Sequence, residues 1–478
     1  MPVSKSTLQN PGGISHWLRQ IHEQDPASLA PRPPLSSDTE ADVCIVGAGY
    51  SGLWTAYYLL RESPGLSVII LEAEIAGYGA SGRNGGAVIA QFNGSREYWQ
   101  KRGGRDGLIA LETAVKAAVD EVGNVIARES IDCAYAKNGV LMVARTPLEA
   151  ERFKESVARD RSYGWTDADS SYLDAEQTLA RINVDGATGA RFNAHCASID
   201  PGRLVRGLAQ TVERHGGVIY EGTRVTGITA GRVSTESGAA VRARIVVRAT
   251  EAYTDSLPSE RRRLIPVYTS MLVTEPITDE RLWQQVGWQG REALLAEHPF
   301  LHLQHTADRR ITIGGDDNRI PYRYGSKPSP DTPPPSKVFA HYRAELTRLF
   351  PALADVGISH SWQGVFAASR QWAPSVGLDR STGLAWAGGY VGEGVANSNL
   401  AAHVLADLIQ GKDTPLTRLP LVVSKPHRRW EPEPLRIIGA VGIAALRDRG
   451  DLEERRTGKP SRLWELGDKL AGFTGHIG

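Results

Sequence analysis

The strongest constraint on the fold is the run Gly47-Ala48-Gly49-Tyr50-Ser51-Gly52. Asp42–Val46 before it reads as a short buried strand, and Leu53, Ala56, Tyr57 and Leu60 after it recur at helical spacing. Ser67–Leu71 is the next strand, completing a βαβ unit of about thirty residues. In a Gly-x-Gly-x-x-Gly loop so placed, the first glycine permits the tight turn and the second lets a pyrophosphate approach the backbone. The third brings helix and strand close together. The helix then turns its positive N-terminus toward the phosphates. Glu72 closes the second strand twenty residues past Gly52, where a ribose hydroxyl is read. A carboxylate there repels a phosphorylated ribose, so the pattern predicts FAD or NAD rather than NADP.

The segment that follows decides between the two. Gly77-Tyr78-Gly79-Ala80-Ser81-Gly82-Arg83-Asn84-Gly85-Gly86 holds five glycines in ten residues, with polar donors at Ser81, Arg83 and Asn84. A nicotinamide fold would continue into another helix and strand. A glycine-rich loop here suits a long ligand lying under the chain, and points to FAD.

Further along, α/β pieces alternate with hairpin-like pieces. Asp200-Pro201-Gly202 opens a helix that Gly216-Gly217 ends, Ile245–Ala249 is a buried strand, and Asn397–Ile409 a helix. Gly139–Val143, Leu272–Glu275, Leu301–Gln304 and Ile311–Gly315 read as sheet, and Pro328–Pro335 as a proline-rich surface loop. With 478 residues, more than one core is expected. The pattern predicts a nucleotide-binding domain of separated segments, residues 41–130, 196–262 and 364–414. A second domain is inserted as residues 131–195 and 263–363. Residues 1–40 form an N-terminal extension, and 415–478 a helical tail with helices at Leu435–Arg449 and Leu463–Leu470.

Composition narrows the function. Fifty-five basic against fifty-four acidic side chains give a net charge of +1, which argues against nucleic acid as the main partner. No stretch approaches a membrane span, and the polar Met1–Pro11 does not resemble a signal peptide. Cys44, Cys133 and Cys196 form no Cys-x-x-Cys pair and stand near no histidine at ligand spacing, so no metal is expected. So sparse and odd a set fits a reducing, cytoplasmic setting.

Three passages, Asp42–Glu72, Gly77–Gly86 and Gly388-Gly389-Tyr390-Val391-Gly392-Glu393-Gly394-Val395, resemble the D-amino-acid-oxidase-like (glycine-oxidase-type) FAD proteins. Within that family the resemblance is to γ-glutamylputrescine-oxidase-like bacterial amine oxidoreductases. It implies an α/β fold with a Rossmann-like FAD-binding domain of the GR2 type. The inserted α+β substrate domain would be built on a mainly antiparallel sheet. Gly47, Ala48, Gly49, Tyr50, Ser51 and Gly52 would cradle the pyrophosphate, and Glu72 with Ala73 the ribose. Gly79, Ala80, Ser81, Arg83, Asn84, Gly85 and Gly86 would run along the flavin edge. Val225 would hold the adenine through its backbone beside Ala249, while Gly392, Glu393, Gly394 and Val395 would lie near the pyrimidine edge. FAD would be non-covalent, because no Cys follows Cys196 and no His lies within Gly77–Gly86.

The implied activity is oxidation of a C–N bond of a small amine or amino acid by hydride transfer to flavin N5, giving an imine. Catalytic candidates are His302, Gln363 and Arg370, with Gln304 and His305 nearby. Tyr268, Trp362 and Trp372 are candidates for boxing the amine. Sarcosine-oxidase-like relatives place a lysine near N5 on a strand corresponding to Ile311-Thr312-Ile313-Gly314, but this chain has no lysine between Lys154 and Lys327. The electron acceptor is therefore oxygen or a carrier. Two other readings remain at this level: an NAD-dependent dehydrogenase, and a low-turnover flavoprotein acting through assembly as a homo-oligomer, motivated by the N-terminal arm and helical tail.

Overall fold

The computed structural model describes residues 10–297, 300–316, 322–323, 325, 328, 330–471 and 476–477. The first sheet runs in the order Val225–Thr229, Arg232–Thr235, Ala240–Arg248, Thr39–Val46, Val68–Leu71, Val218–Tyr220. Leu384–Gly388 also pairs in parallel with Ala240–Arg248 and carries Ser375–Asp379 as its antiparallel neighbour. The central strand is buried on both faces. Val43 and Ile45 enter a large core with the helices Tyr50–Glu62, Arg96–Arg128, Pro201–Arg214 and Gly394–Gln410, while Cys44 and Val46 enter a smaller one with Ile69, Leu71 and Val246. Burial on both sides is why Asp42–Val46 reads as a continuous apolar run rather than an alternating one. Asp200 caps the helix Pro201–Arg214 by accepting from Arg203 N at 2.9 Å, with proline at the first helical position.

The second sheet has eight strands, in the order Ile358–Ser369, Leu264–Thr274, Ile311–Asp316, Phe300–His305, Ala293–Glu297, Val140–Ala144, Gly189–Asn193, Ser170–Asp174. All its pairings are antiparallel except that of Ala293–Glu297 with Val140–Ala144. One face, with Leu272, Leu301, Leu303 and Ile313, is covered by the helices Glu280–Val286 and Ser336–Leu349. The other face, with Met271, Val273 and Trp362, packs against Trp17 of the N-terminal arm. The division drawn at residue 363 falls inside the strand Ile358–Ser369.

The tail forms helices at Leu435–Thr457 and Arg462–Ala471, the first a full two turns longer than its apolar pattern suggests. The helix expected from Asn397 starts at Gly394. Part of the Pro328–Pro335 loop lies outside the described residues. Among the described residues, no helix is long and apolar enough to cross a membrane. The three cysteines are buried and unpaired.

Candidate active site

Gly47 has a φ of +107°, and a Cβ there would lie 2.6 Å from the carbonyl oxygen of Ala249. A Cβ on Gly52 would collide with Gly47 O, so helix and turn touch backbone to backbone. The helix Tyr50–Glu62 starts at Gly49 with no side-chain cap, leaving first-turn N–H groups for a ligand. A cradle too narrow for side chains, ending at an uncapped helix, fits a dinucleotide pyrophosphate.

Glu72 follows on the adjacent strand. Its carboxylate accepts from Ala48 N at 2.8 Å and from Glu74 N at 3.0 Å. Burial pushes its carboxyl up from the usual value, against those two hydrogen bonds. Thr223 N donates to Glu72 O and Gly222 N to Glu74 O, which brings Val225 to the same edge as Glu72 and Ala73. Arg224 pairs with Glu74 at 3.1 Å. Ala249 N donates to Val46 O, closing the floor of the cradle.

The Gly77–Gly86 loop crosses in front of this cradle. Ser81 Oγ accepts from Tyr50 N at 2.8 Å, tying the loop to the helix start. Gly79 precedes the single turn Ala80–Gly82. Asn84 braces the loop internally, donating to Ala80 O and Ser81 O and accepting from Gly86 N. Arg83 has a different place from the flavin edge. Its guanidinium is buried and donates to Tyr78 O, Ile14 O and Gln363 O, and it pairs with Asp331 at 2.7 Å. It is a strut behind the loop.

The inner face of the second sheet sits directly over Gly85 and Gly86. A Cβ on Gly85 would lie 2.6 Å from His302 Nδ1, and one on Gly86 would collide with Gln304 Oε1. His302 is paired with Gly314 and Gln304 with Thr312 across the ladder, so these side chains share a face. Burial pushes the His302 imidazole down to about 4, which leaves it neutral at ordinary pH. Gln304 Oε1 and Thr312 Oγ1 are buried without a partner among the described residues. Buried polar atoms are almost always satisfied, so two such atoms facing the glycine-rich loop mark a place for a bound molecule.

The third loop, Gly388–Gly394, ends where the helix Gly394–Gln410 begins, again with no side-chain cap. Gly389 N and Tyr390 N both donate to the Glu251 carboxylate, at 2.8 and 3.2 Å. Burial raises Glu251 to about 7 against these bonds and nearby Arg248. Glu393, also raised to about 7 by burial, precedes the helix, with Gly392 exposed and Val395 buried beside it.

The remaining candidates do not gather at this point. Arg370 pairs with Glu431 and donates to Ala471 O, and Trp372 Nε1 donates to the same carbonyl, so both face the C-terminal tail. Trp362 Nε1 donates to Arg83 O, behind the glycine-rich loop. Tyr268 lies under the Arg323 guanidinium, whose carbon is 3.7 Å from the ring centroid. Gln363 accepts from Arg323 and Thr332 and donates to Ser270. His305 stacks on Trp283 at 4.2 Å, in the outer layer. Glu251 was invisible in the sequence, because a lone acid after a strand carries no motif. The apolar-polar alternation of Leu301-His302-Leu303-Gln304 was the available sign that His302 and Gln304 share a face.

Residues 42–408 match the family model described as FAD dependent oxidoreductase (DAO). The chain is 30% identical to gamma-glutamylputrescine oxidoreductase of Escherichia coli over 390 residues, covering 80% of this chain and 86% of that protein. It is 22% identical to glycine oxidase of Geobacillus kaustophilus over 400 residues, 80% of this chain and 97% of that protein. The crystal structure of glycine oxidase from Geobacillus kaustophilus superposes with a TM-score of 0.65 at 20% identity, covering 78% of this chain and 96% of that one. That of L-proline dehydrogenase from P. horikoshii gives 0.63 at 20% identity, over 81% and 96%.

Proposed function

The chain belongs to the DAO family of FAD-dependent oxidoreductases, and from that premise we propose that it oxidises the C–N bond of a small amine or amino acid to an imine. Membership in this family replaces the NAD-dependent reading. Bound FAD supplies the hydride acceptor, flavin N5. The observation that carries the proposal is the row His302, Gln304 and Thr312, set over Gly85 and Gly86 with two buried oxygens that have no partner among the described residues. Gln304 Oε1 accepts from an N–H, and Thr312 Oγ1 donates or accepts, so the pair suits a nitrogen-bearing substrate. A neutral His302 adds no positive charge that would repel an amine. Rate comes chiefly from holding the substrate C–H about 3–3.5 Å from its acceptor, with no strong base required.

The names of the relatives support the substrate class, since one acts on γ-glutamylputrescine and another on glycine. The strand Ile311–Asp316, which corresponds to the lysine-bearing strand of sarcosine-oxidase-like proteins, holds no lysine, which supports a carrier over oxygen as acceptor. The test is anaerobic bleaching of the flavin by a panel of amines and amino acids, followed by stopped-flow reoxidation. We expect at least one panel member to bleach the flavin, with reoxidation faster by an artificial acceptor than by oxygen. A flavin that no amine or amino acid reduces would sink the proposal.

A further inference from the structure

The N-terminal arm lies outside the stretch that matches the family model, yet it touches the cofactor loop more closely than most of the chain within that stretch. Three consecutive carbonyls of the loop are held from behind. Ser15 Oγ donates to Gly82 O at 2.6 Å, Trp362 Nε1 to Arg83 O at 2.8 Å, and Trp17 Nε1 to Asn84 O at 2.9 Å. Arg83 returns the contact by donating to Ile14 O at 3.0 Å. The Ser15 hydroxyl also accepts from Leu18 N and so caps the arm helix His16–Gln24, linking its start to the loop.

A trans peptide points its C=O and N–H to opposite sides. With Arg83 O turned toward Trp362 and Asn84 O toward Trp17, the N–H groups of Asn84 and Gly85 turn the other way, toward the face where His302 meets Gly85. Neither N–H has a protein partner among the described residues. Both residues are half-buried, and amides without a protein partner there are free to donate to a ligand acceptor. Trp17 thus sets the direction of the Gly85 N–H directly, and Trp362, which packs against Trp17, sets that of Asn84.

Trp17 joins this clamp to the rest of the molecule. It packs with Met271, Val273 and Trp362 of the second sheet. It also lies against Gly202, where a Cβ would come within 2.9 Å of Trp17 Cβ. Ser15 and Trp17 are both buried.

We propose that Ser15 and Trp17 are positioning residues of the FAD site. They hold the Gly82 and Asn84 carbonyls from behind, either side of the Arg83 carbonyl held by Trp362, and so pre-set the Gly85 N–H directly and the Asn84 N–H through the shared clamp. The proposal rests only on FAD being the cofactor. A loop held in its bound form loses less freedom on binding, so affinity rises without any new contact to the ligand.

The test uses full-length holoenzyme stripped of FAD, with FAD affinity read by quenching of flavin fluorescence and the rebound flavin's visible spectrum recorded. Trp17→Phe keeps a ring in the cluster and removes the N–H donor. It should weaken FAD by about fivefold, the scale of one lost hydrogen bond, and shift the bound-flavin spectrum. Ser15→Ala should weaken it similarly. Arg19→Ala, which breaks only an exposed pair with Glu23, should leave both readouts unchanged. Linkage supplies a measurement on the wild type, since the arm and the cofactor must stabilise each other reciprocally. Adding FAD to wild-type apoprotein should therefore slow hydrogen exchange at residues 15–18. Trp17→Phe binding FAD as tightly as wild type with an unchanged spectrum would overturn the proposal. So would arm amides whose exchange ignores FAD.

Discussion

At the scale of single residues, the site is governed by groups held away from their ordinary protonation. Glu251 accepts two backbone N–H bonds from Gly389 and Tyr390, yet burial raises it from 4.5 to about 7. A carboxyl with a native value above its unfolded one keeps its proton longer in the folded state. The folded protein then binds more protons between those two values, so this group makes stability fall as pH rises from 4.5 to about 7. Glu251→Gln removes that contribution. The melting temperature of the variant apoprotein should therefore decline less between pH 5 and pH 7 than that of wild type. Parallel declines would show that Glu251 does not titrate there. Glu251 carried no signal in the sequence, because its partners lie 138 and 139 residues away. Glu72 was legible because its distance from the glycine loop is set within one βαβ unit.

At the scale of elements, the helix Arg96–Arg128 is joined to the second sheet through buried charge. It is 33 residues long and bends at Gly104, whose φ is 69°. Arg96 pairs with Glu112 at 2.7 Å and with Asp160 at 3.0 Å, and Asp160 also takes Arg191 of the second sheet at 2.7 Å. All four side chains are buried. Removing a carboxylate shared by two buried guanidinium groups costs far more than an exposed pair would. Asp160→Ala should destabilise the protein by about 3–5 kcal/mol in urea melts. A loss below about 1 kcal/mol would show that water satisfies the cluster. The partition into strands and helices was mostly readable from periodicity. The charge cluster was not, since its members come from three elements and each reads alone as an ordinary surface residue.

At the scale of the whole molecule, the tail settles against the seam where loop Gly388–Gly394 meets the second sheet. Trp430 Nε1 donates to Ala368 O at 2.9 Å, and Trp430 and Ile437 pack beside Phe366, Trp372 and Val391. Glu433 meets Tyr322 OH. The two sides of the helix Leu435–Thr457 differ, for Ile437 enters this cluster while Ile438 is 63% exposed. Ile437→Asp should therefore cost at least about 2 kcal/mol through burial of a charge, and Ile438→Asp less than about 0.5 kcal/mol. Equal effects in thermal melts would mean that the tail does not dock this way.

The sequence by itself determined the nucleotide fold, the place of Glu72 at the end of the second strand and the glycine-rich loop that follows it. Each depends on local geometry, such as a turn that only glycine fits or a period of two or 3.6 residues. Only the tertiary structure decided what the long polar and aromatic side chains do. Arg83 became a strut, Arg370 and Trp372 turned to the tail, and Trp17 reached the back of the cofactor loop. These side chains satisfy donors by contacts 67 to 280 residues distant, which no local pattern encodes. The loop Gly77–Gly86 could be recognised from its glycines, but two of the side chains that hold it from behind, Ser15 and Trp17, come from a segment that carries no motif at all.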